Sequence, residues 1–254
     1  MDMAISNIAW SRENEDQVFE LLQQHKIKFL EIAPTKIASW QDFSAFEKYK
    51  EKVSKYGLTI RNMQSIFYGE KIDIFDNQIE AQQHTIRVLN LAKMLDIKSV
   101  IFGSPKNRLT HDKIADKDKF RQFLFTVDDY LASTNIMFNI ESNPEVYGCN
   151  FITKPSEIIE FSTSFSNIGF HLDTCCSTYS GEPLFYIKDI TPDSVHISES
   201  YLGNFRNPFV DHQKYKNFLN KNMYSGIISI EMKETDVPDI EHAISFVKHQ
   251  YETI

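Results

Sequence analysis

Two kinds of segment alternate eight times along this chain of 254 residues, and this alternation restricts the fold more than any other feature. Short apolar runs rich in β-branched residues have the length of strands, and several are apolar on both faces, as in a parallel sheet covered by helices. A predicted helix follows each run, and most of these helices are long and amphipathic. The predicted strands are Ile5–Trp10, Ile27–Ala33, Leu58–Ile66, Ser99–Gly103, Ile136–Ile140, Ile168–Leu172, Ser194–Ile197 and Ile227–Met232. The predicted helices are Asn14–His25, Asp42–Tyr56, Asp76–Leu95, Asp112–Ala132, Pro155–Phe165, the short Glu182–Asp189, Asp211–Leu219 and Val237–Tyr251.

This alternation predicts a closed barrel. Strands and helices that alternate within one sheet imply parallel strands joined by right-handed crossovers. Eight repeats in about 250 residues favour a (β/α)8 barrel over an open doubly wound sheet, which would also carry a glycine-rich turn after an early strand. No Gly-, Ser- or Pro-rich linker divides the chain. We therefore predict the α/β class and a single TIM-barrel domain over residues 1–254.

Charge and composition argue against several classes of protein. The chain has 27 Lys and Arg against 35 Asp and Glu, a net charge of −8, whereas nucleic-acid binding requires clustered cations. No apolar run reaches the roughly 20 residues of a membrane span, and the first residues lack the basic segment of a secretory signal. Three cysteines without a CxxC pair are typical of a reducing compartment. We expect a cytoplasmic protein that binds neither nucleic acid nor membranes.

Polar residues occupy one face of the last four predicted strands, close to their C-terminal ends. Residues two apart on a strand face the same side, and barrel enzymes carry their catalytic groups at these strand ends. The alternation therefore predicts polar groups from four consecutive strands at one end of the lumen. These are Asn139, Glu141 and Asn143; His171 and Asp173; His196 and Ser198; and Ser229, Glu231 and Lys233.

Three carboxylates that meet in a lumen of low dielectric constant repel one another unless a cation compensates them. Carboxylate oxygens together with one imidazole suit a divalent ion such as Mn²⁺, Co²⁺, Mg²⁺ or Zn²⁺. We therefore predict one divalent metal ion bound by Glu141, Asp173, His196 and Glu231. His171 could be a ligand, a substrate contact or a hydrogen-bonded core histidine.

With these residues in place, the sequence resembles the xylose isomerase-like TIM barrels. That group includes sugar isomerases and epimerases, inosose dehydratases and the endonuclease IV enzymes. The likeness covers essentially the whole chain and rests on the segments NIESN, FHLDT, VHISES and SIEMK. The resemblance implies that Glu141, Asp173, His196 and Glu231, one from each segment, are the metal ligands.

Three positions depart from the sugar epimerase branch. Cys176 stands where that branch usually has a histidine, and Tyr147 stands where it has an acidic residue. Leu202 replaces an arginine, for which Arg206 is the nearest candidate. The metal ligands are therefore matched, whereas the groups that orient a free ketose are not.

The resemblance implies a divalent-metal-dependent isomerase or epimerase of a sugar or related polyhydroxy carbonyl compound. In that chemistry the metal polarises a carbonyl group and stabilises an enediolate, while Glu141 and Glu231 act as acid and base. A dehydratase of an inosose-like substrate is the close alternative. An endonuclease IV-like nuclease and a non-catalytic sugar-binding barrel are further alternatives. Barrels of this group often pair, so a homodimer is a further expectation.

Five other residues are candidates for binding the substrate. Arg108 follows the fourth strand and could bind a substrate carboxylate or phosphate, or be a solvated cation. Arg206 lies in an aromatic-rich loop that could close over the site or simply be exposed. Trp10 could form an apolar wall against a sugar ring or fill the core. Glu31 could accept a hydrogen bond from a substrate hydroxyl group. Lys233 shares the predicted face of Glu231.

Overall fold

Eight parallel strands close into a barrel in sequence order, with the last strand paired to the first. The structure is a computed structural model and describes residues 1–251. The strands are β1 Asp2–Ser6, β2 Phe29–Ile32, β3 Thr59–Met63, β4 Ser99–Phe102, β5 Met137–Glu141, β6 Ile168–Asp173, β7 Ser194–Ser198 and β8 Ile227–Glu231. The helices are α1 Glu15–Gln24, α2 Phe43–Lys55, α3 Gln78–Leu95, α4 Lys113–Leu131, α5 Pro155–Ser162, α6 Thr174–Ser180, α7 His212–Lys221 and α8 Val237–Tyr251. Short 3-10 helices lie at Asn7–Ala9, Arg12–Asn14, Pro34–Lys36, Pro105–Asn107, Glu145–Tyr147, Leu184–Ile187 and Ser200–Leu202.

This architecture confirms the predicted (β/α)8 barrel. The main core lies between the barrel and its helices, where apolar side chains from both layers interdigitate. Phe102 of β4 illustrates the packing, since its ring lies 5.5 Å from that of Phe138 on β5 and 6.0 Å from that of Phe123 on α4. None of the helices among the described residues combines the length and the hydropathy that crossing a bilayer requires.

Two predicted elements are misplaced. The first strand was predicted at Ile5–Trp10, but β1 ends at Ser6, because the chain turns into a 3-10 helix in which the Asn7 side chain accepts a hydrogen bond from the backbone N–H of Ala33 at 2.7 Å. The sixth helix was predicted at Glu182–Asp189. Instead α6 begins directly after β6, and only the 3-10 helix Leu184–Ile187 forms in the predicted segment.

A buried polar layer closes the lumen below the strand ends. The Asn139 amide of β5 donates hydrogen bonds to the Ser99 hydroxyl of β4 at 2.7 Å and to the Ser194 hydroxyl of β7 at 3.0 Å. A Cβ atom at Gly169 of β6 would overlap the Asn139 carbonyl oxygen, so this layer requires glycine at that position. Three strands are thereby joined across the lumen by one side chain.

We expect Asn139→Ala to lower the free energy of unfolding by about 2 kcal/mol, because it removes two buried hydrogen bonds, those to the hydroxyls of Ser99 and Ser194. Urea denaturation monitored by circular dichroism measures the change. The exposed Asn135, which precedes the same strand, supplies the control, and Asn135→Ala should alter stability by less than about 0.5 kcal/mol. Equal effects of the two substitutions would contradict a structural role for the layer.

Candidate metal centre

Four strand ends bring Glu141, Asp173, His196 and Glu231 together at the C-terminal mouth of the barrel. Each residue offers one ligand atom, and these four atoms all lie within 4.8 Å of one another. The register explains this convergence, since Asp173 pairs with His196 and Ser198 pairs with Glu231 across neighbouring strands. The lumen-facing arrangement inferred from the strand alternation is therefore present in the structure.

His196 lies between two carboxylates. Its Nε2 is 2.9 Å from Oε1 of Glu31 on β2, and its Nδ1 is 3.3 Å from Oε2 of Glu231. Neither ring nitrogen has a partner with hydrogen-bond geometry, although both are buried. A histidine that ligates a metal through one nitrogen commonly has a carboxylate at the other, which fixes its tautomer and orientation. The position of Glu31 at Nε2 of His196 fits that role, so Glu31 orients the imidazole ring.

Hydrogen bonds hold the Asp173 carboxylate in place through both oxygens. Oδ1 accepts the backbone N–H of Cys176 at 2.6 Å, which also caps the N-terminus of α6. Oδ2 accepts the hydroxyl of Ser198 at 2.6 Å. The abrupt passage from β6 into α6 thus depends on Asp173, because the residue serves as helix cap and candidate ligand together.

Arg108 and Gly103 set the position of Glu141. The buried guanidinium of Arg108 donates hydrogen bonds of 2.8 Å to the backbone carbonyl of Glu141 and to the side-chain oxygen of Asn143. A Cβ atom at Gly103 would overlap Oε2 of Glu141. Glycine at the end of β4 therefore makes room for the carboxylate, while Arg108 holds the backbone of β5 behind it.

The close approach of these groups perturbs their pKa values. Burial and the neighbouring Asp173 and Glu231 raise the pKa of Glu141 to about 8. Burial and Glu231 likewise raise the pKa of Asp173. Burial alone would lower the pKa of His196, but the adjacent Glu31 and Glu231 outweigh it and hold that pKa well above its ordinary value. Three carboxyl groups are therefore crowded into one donor set, and its oxygen and nitrogen atoms fit a divalent cation.

A cleft of about 360 Å³ opens above the cluster. Of the four candidate ligands, Glu141 and Glu231 line it, whereas Asp173 and His196 lie deeper. The remaining lining residues are Gln64, Ser65, Ile101, Gly103, Ser104, Pro105, Asn143, Tyr147, Cys176, Tyr201 and Leu202. Cys176, Tyr147 and Leu202, the three departures from the epimerase pattern, all lie on this cleft.

The other predicted substrate contacts lie outside this lining. Arg108 is fully buried against the Phe102 ring and holds the backbone of Glu141. Trp10 is buried with its ring 6.3 Å from that of Phe19, as expected of a core residue. Arg206 is half exposed and bonded to Asp239 of α8. Lys233 is exposed beyond the end of β8. None of these four placements supports direct contact with a substrate in the cleft.

His171 lies beneath the cluster as a buried side chain. Its Nδ1 is 2.7 Å from the hydroxyl of Ser194, while its Nε2 is buried without a hydrogen-bond partner. The rings of His171 and His196 meet edge to face with centroids 4.1 Å apart. Burial and the neighbouring His196 hold the pKa of His171 well below its ordinary value. This is the placement expected of the core histidine, although a ligand set of Glu141, His171 and His196 is also within reach.

Gln64 lines the cleft but was not among the predicted site residues. Gln64 follows β3, and its amide donates a hydrogen bond to the Ser6 hydroxyl at 2.9 Å at the rim of the lumen. The alternation rule applied to Asn62 and Gln64, two residues apart at the end of the third strand, could have identified it. Tyr201 had no such signal, since its position depends on the conformation of a loop.

The loop after β7 carries strained backbone to the edge of the cleft. Tyr201 and Leu202 both adopt the left-handed region, at φ 52° and 53°, which costs on the order of 1–3 kcal/mol for each non-glycine residue. The buried Glu199 anchors the loop, because its carboxylate lies 2.7 Å from Nε2 of His212 and accepts the backbone N–H of Phe209 at 2.7 Å. Strain of this kind is concentrated at functional sites.

We expect Gly103→Ala to weaken metal binding by roughly 10- to 100-fold, because the new methyl group displaces the flexible end of Glu141 without disturbing backbone atoms. Competition with a chromogenic chelator measures the affinity, and thermal denaturation checks the fold. Wild-type affinity in a correctly folded Gly103→Ala protein would contradict this account of Glu141.

The pKa shifts also predict a pH dependence for the chelator-treated protein. The folded state keeps a proton on Glu141 up to about pH 8, whereas the unfolded chain releases it near the ordinary value of 4.5, so stability falls as the pH rises between these values. The raised pKa of His196 acts in the same direction at higher pH. We expect the melting temperature to fall by roughly 10 °C from about pH 5 to about pH 8.

Glu141→Gln should flatten this profile, because the glutamine does not titrate. Glu145→Gln, an exposed substitution in the following loop, should retain the wild-type slope. Differential scanning fluorimetry in a chelator across this pH range distinguishes the variants, and parallel profiles for all three proteins would contradict the assignment to Glu141.

Comparison with known proteins places this geometry in a family. The model of the xylose isomerase-like TIM barrel family matches residues 19–250. A search of curated proteins found no match to the sequence. Solved structures show the same fold at low sequence identity.

Three of these structures cover nearly the whole chain. D-psicose 3-epimerase from Clostridium cellulolyticum H10, solved with D-tagatose, has a TM-score of 0.80 at 14% identity and covers 100% of both chains. D-allulose 3-epimerase from a Methylomonas species, in complex with D-allulose, has a TM-score of 0.80 at 16% identity over 99% of this chain and 97% of its own. An IOLI protein with a bound zinc atom has a TM-score of 0.74 at 14% identity over 98% and 96%.

The family model spans nearly the whole barrel, including all four strand ends that carry the cluster. The protein therefore belongs to the xylose isomerase-like TIM barrel family.

Proposed function

We propose that this protein is a divalent-metal-dependent isomerase or epimerase acting on a sugar or related polyhydroxy carbonyl compound. One observation carries the proposal: three carboxylates and one imidazole converge within 4.8 Å at the base of a cleft of about 360 Å³. That volume lies at the lower end of the range of about 300–1,000 Å³ typical of small-molecule pockets. The site lies at the strand ends where barrel enzymes carry out their chemistry.

Glu141, Asp173, His196 and Glu231 would hold one divalent ion. When bound, such an ion polarises a carbonyl group and stabilises the negative charge that develops as the neighbouring carbon loses its proton. The carboxylate-rich donor set admits Mn²⁺, Co²⁺, Mg²⁺ or Zn²⁺.

Glu141 and Glu231 are the two acidic groups that face the substrate. Both line the cleft, and they arrive from β5 and β8, on different sides of the lumen. One removes the proton next to the carbonyl group, and the other returns a proton to the opposite face in an epimerisation. In an isomerisation the proton returns at the adjacent carbon. Asp173, held by Ser198 and the Cys176 N–H, is fixed as a ligand and stays clear of the substrate.

The similar structures support the carbohydrate class. Two are sugar 3-epimerases solved with ketoses, and a third holds zinc. The net charge of −8 also favours a carbohydrate substrate over a nucleic acid, because it opposes binding to a nucleic-acid backbone.

We expect the purified protein to bind one divalent ion per chain and to exchange the carbon-bound hydrogens of dihydroxyacetone in D₂O. Glu141→Gln should slow the exchange by about 10²- to 10⁴-fold at saturating metal, the range for loss of an acid–base group. Elemental analysis gives the metal content, and proton NMR follows the exchange. Glu231→Gln should lower the metal content as well as the exchange rate.

Glu145→Gln is the matched control, because Glu145 is exposed in the loop that follows Glu141. It should leave both metal content and exchange unchanged. Three zinc ions per chain would favour a nuclease, and absence of metal after loading with each of the four ions would overturn the proposal. Formation of a dehydrated product from an inosose, without hydrogen exchange into a ketose, would assign the site to the dehydratases.

A further inference from the structure

An aromatic cluster forms one wall of the cleft. Tyr147 comes from the loop after β5, Tyr179 from α6 and Tyr201 from the loop after β7, and the ring centroids of the three lie 5.7 to 6.2 Å apart. Tyr147 and Tyr201 line the cleft. Tyr201 is 61% exposed although it is part of this cluster, so a large aromatic face is available at the mouth.

The wall is held in a defined position. The backbone N–H of Tyr201 donates a hydrogen bond to the Tyr147 hydroxyl at 3.3 Å, and the Tyr179 hydroxyl is bonded to the Ser200 hydroxyl. The backbone N–H of Lys233 donates to the Leu202 carbonyl at 2.8 Å, which ties the loop to the end of β8. The left-handed conformations of Tyr201 and Leu202 are therefore maintained by contacts on both sides of the cleft.

Both polar and apolar groups line the cleft. Glu141, Glu231, Gln64 and Asn143 supply polar atoms near the candidate metal ligands. The rings of Tyr147 and Tyr201 and the side chains of Ile101, Pro105 and Leu202 supply apolar surface, whereas Cys176 lies 3.8 Å from Oε1 of Glu141.

The aromatic wall restricts the part of a substrate that reaches beyond the reacting carbons. A hydroxyl group placed against the ring faces of Tyr147 and Tyr201 would lose hydrogen bonds to water without gaining equivalent partners. This loss weakens binding. A planar apolar group would instead bury its surface against Tyr201 and Leu202 and gain an aromatic contact.

Resting on the proposed function, we propose that the substrate is a hydroxy-carbonyl compound whose distal end is apolar and planar, with Tyr201 and Tyr147 as specificity-determining residues. The hydroxy-carbonyl end meets Glu141 and Glu231. The planar end lies against the aromatic wall, so a free ketose with hydroxyl groups along its whole length is a poor substrate.

Two probe compounds distinguish the contributions of the two ends of the substrate. The first, 2-hydroxyacetophenone, carries a phenyl ring beside its hydroxy-ketone group, whereas dihydroxyacetone carries only the hydroxy-ketone group. Titration calorimetry with the Mn²⁺-loaded protein gives their dissociation constants, and proton NMR in D₂O gives their hydrogen exchange. We expect 2-hydroxyacetophenone to bind at least tenfold more tightly than dihydroxyacetone, which corresponds to the contact energy of one aromatic pair together with its buried area.

Tyr201→Asn removes the ring and retains a residue that tolerates the left-handed backbone. It should weaken binding of 2-hydroxyacetophenone about tenfold and change binding of dihydroxyacetone less than twofold. Tyr186→Asn is the control, because Tyr186 is equally exposed but lies outside the cleft. Thermal denaturation confirms that each variant is folded, and Tyr147→Leu tests the same wall from the other loop.

Exchange of both probes without preference for the phenyl compound would overturn the aromatic-wall proposal and leave the proposed function standing. Equal weakening of both probes by Tyr201→Asn would also overturn it, since the residue would then act on the reacting end. Failure of the wild-type protein to bind or exchange either probe when loaded with metal would overturn the proposed function together with the aromatic wall.

Discussion

Repulsion among the buried carboxylates of Glu141, Asp173 and Glu231 is the interaction that the rest of the structure must accommodate. Their ligand atoms lie within 4.8 Å of one another and of His196 in a region of low dielectric constant. The imidazole of His196 offsets little of this charge, because Glu31 faces its other nitrogen at 2.9 Å. The cluster therefore favours either a retained proton, as the raised pKa of Glu141 shows, or a bound divalent cation.

The surrounding groups hold the carboxylates without neutralising them. Asp173 is fixed by a hydroxyl and a backbone N–H, which are both neutral donors. The nearby guanidinium of Arg108 donates to the backbone carbonyl of Glu141 and to the side-chain oxygen of Asn143 instead of a carboxylate oxygen. Because hydrogen bonds from neutral groups fix Asp173 and Arg108 binds no carboxylate oxygen of the cluster, the donor set remains available to an ion.

The loop after β7 couples this centre to the mouth of the cleft. Glu199 follows directly after β7, and its buried carboxylate binds His212 and the Phe209 N–H, so both ends of the loop are anchored to the barrel. The anchoring offsets the cost of the left-handed conformations at Tyr201 and Leu202. The strand that contributes His196 to the metal centre thus also positions the residues that line the cleft.

The amino-acid sequence by itself determined the barrel and the inward face of its last four strands, because a strand period of two and eight strand–helix repeats permit few other arrangements. Glu141, Asp173, His196 and Glu231 were therefore predictable as a group. Only the tertiary structure decided that Arg108 is buried and that the Glu31 carboxylate contacts His196. It also decided that Tyr147, Cys176 and Leu202 line one cleft. These outcomes depend on side chains and loops that meet across long sequence separations, where packing and burial, and not local periodicity, select the conformation.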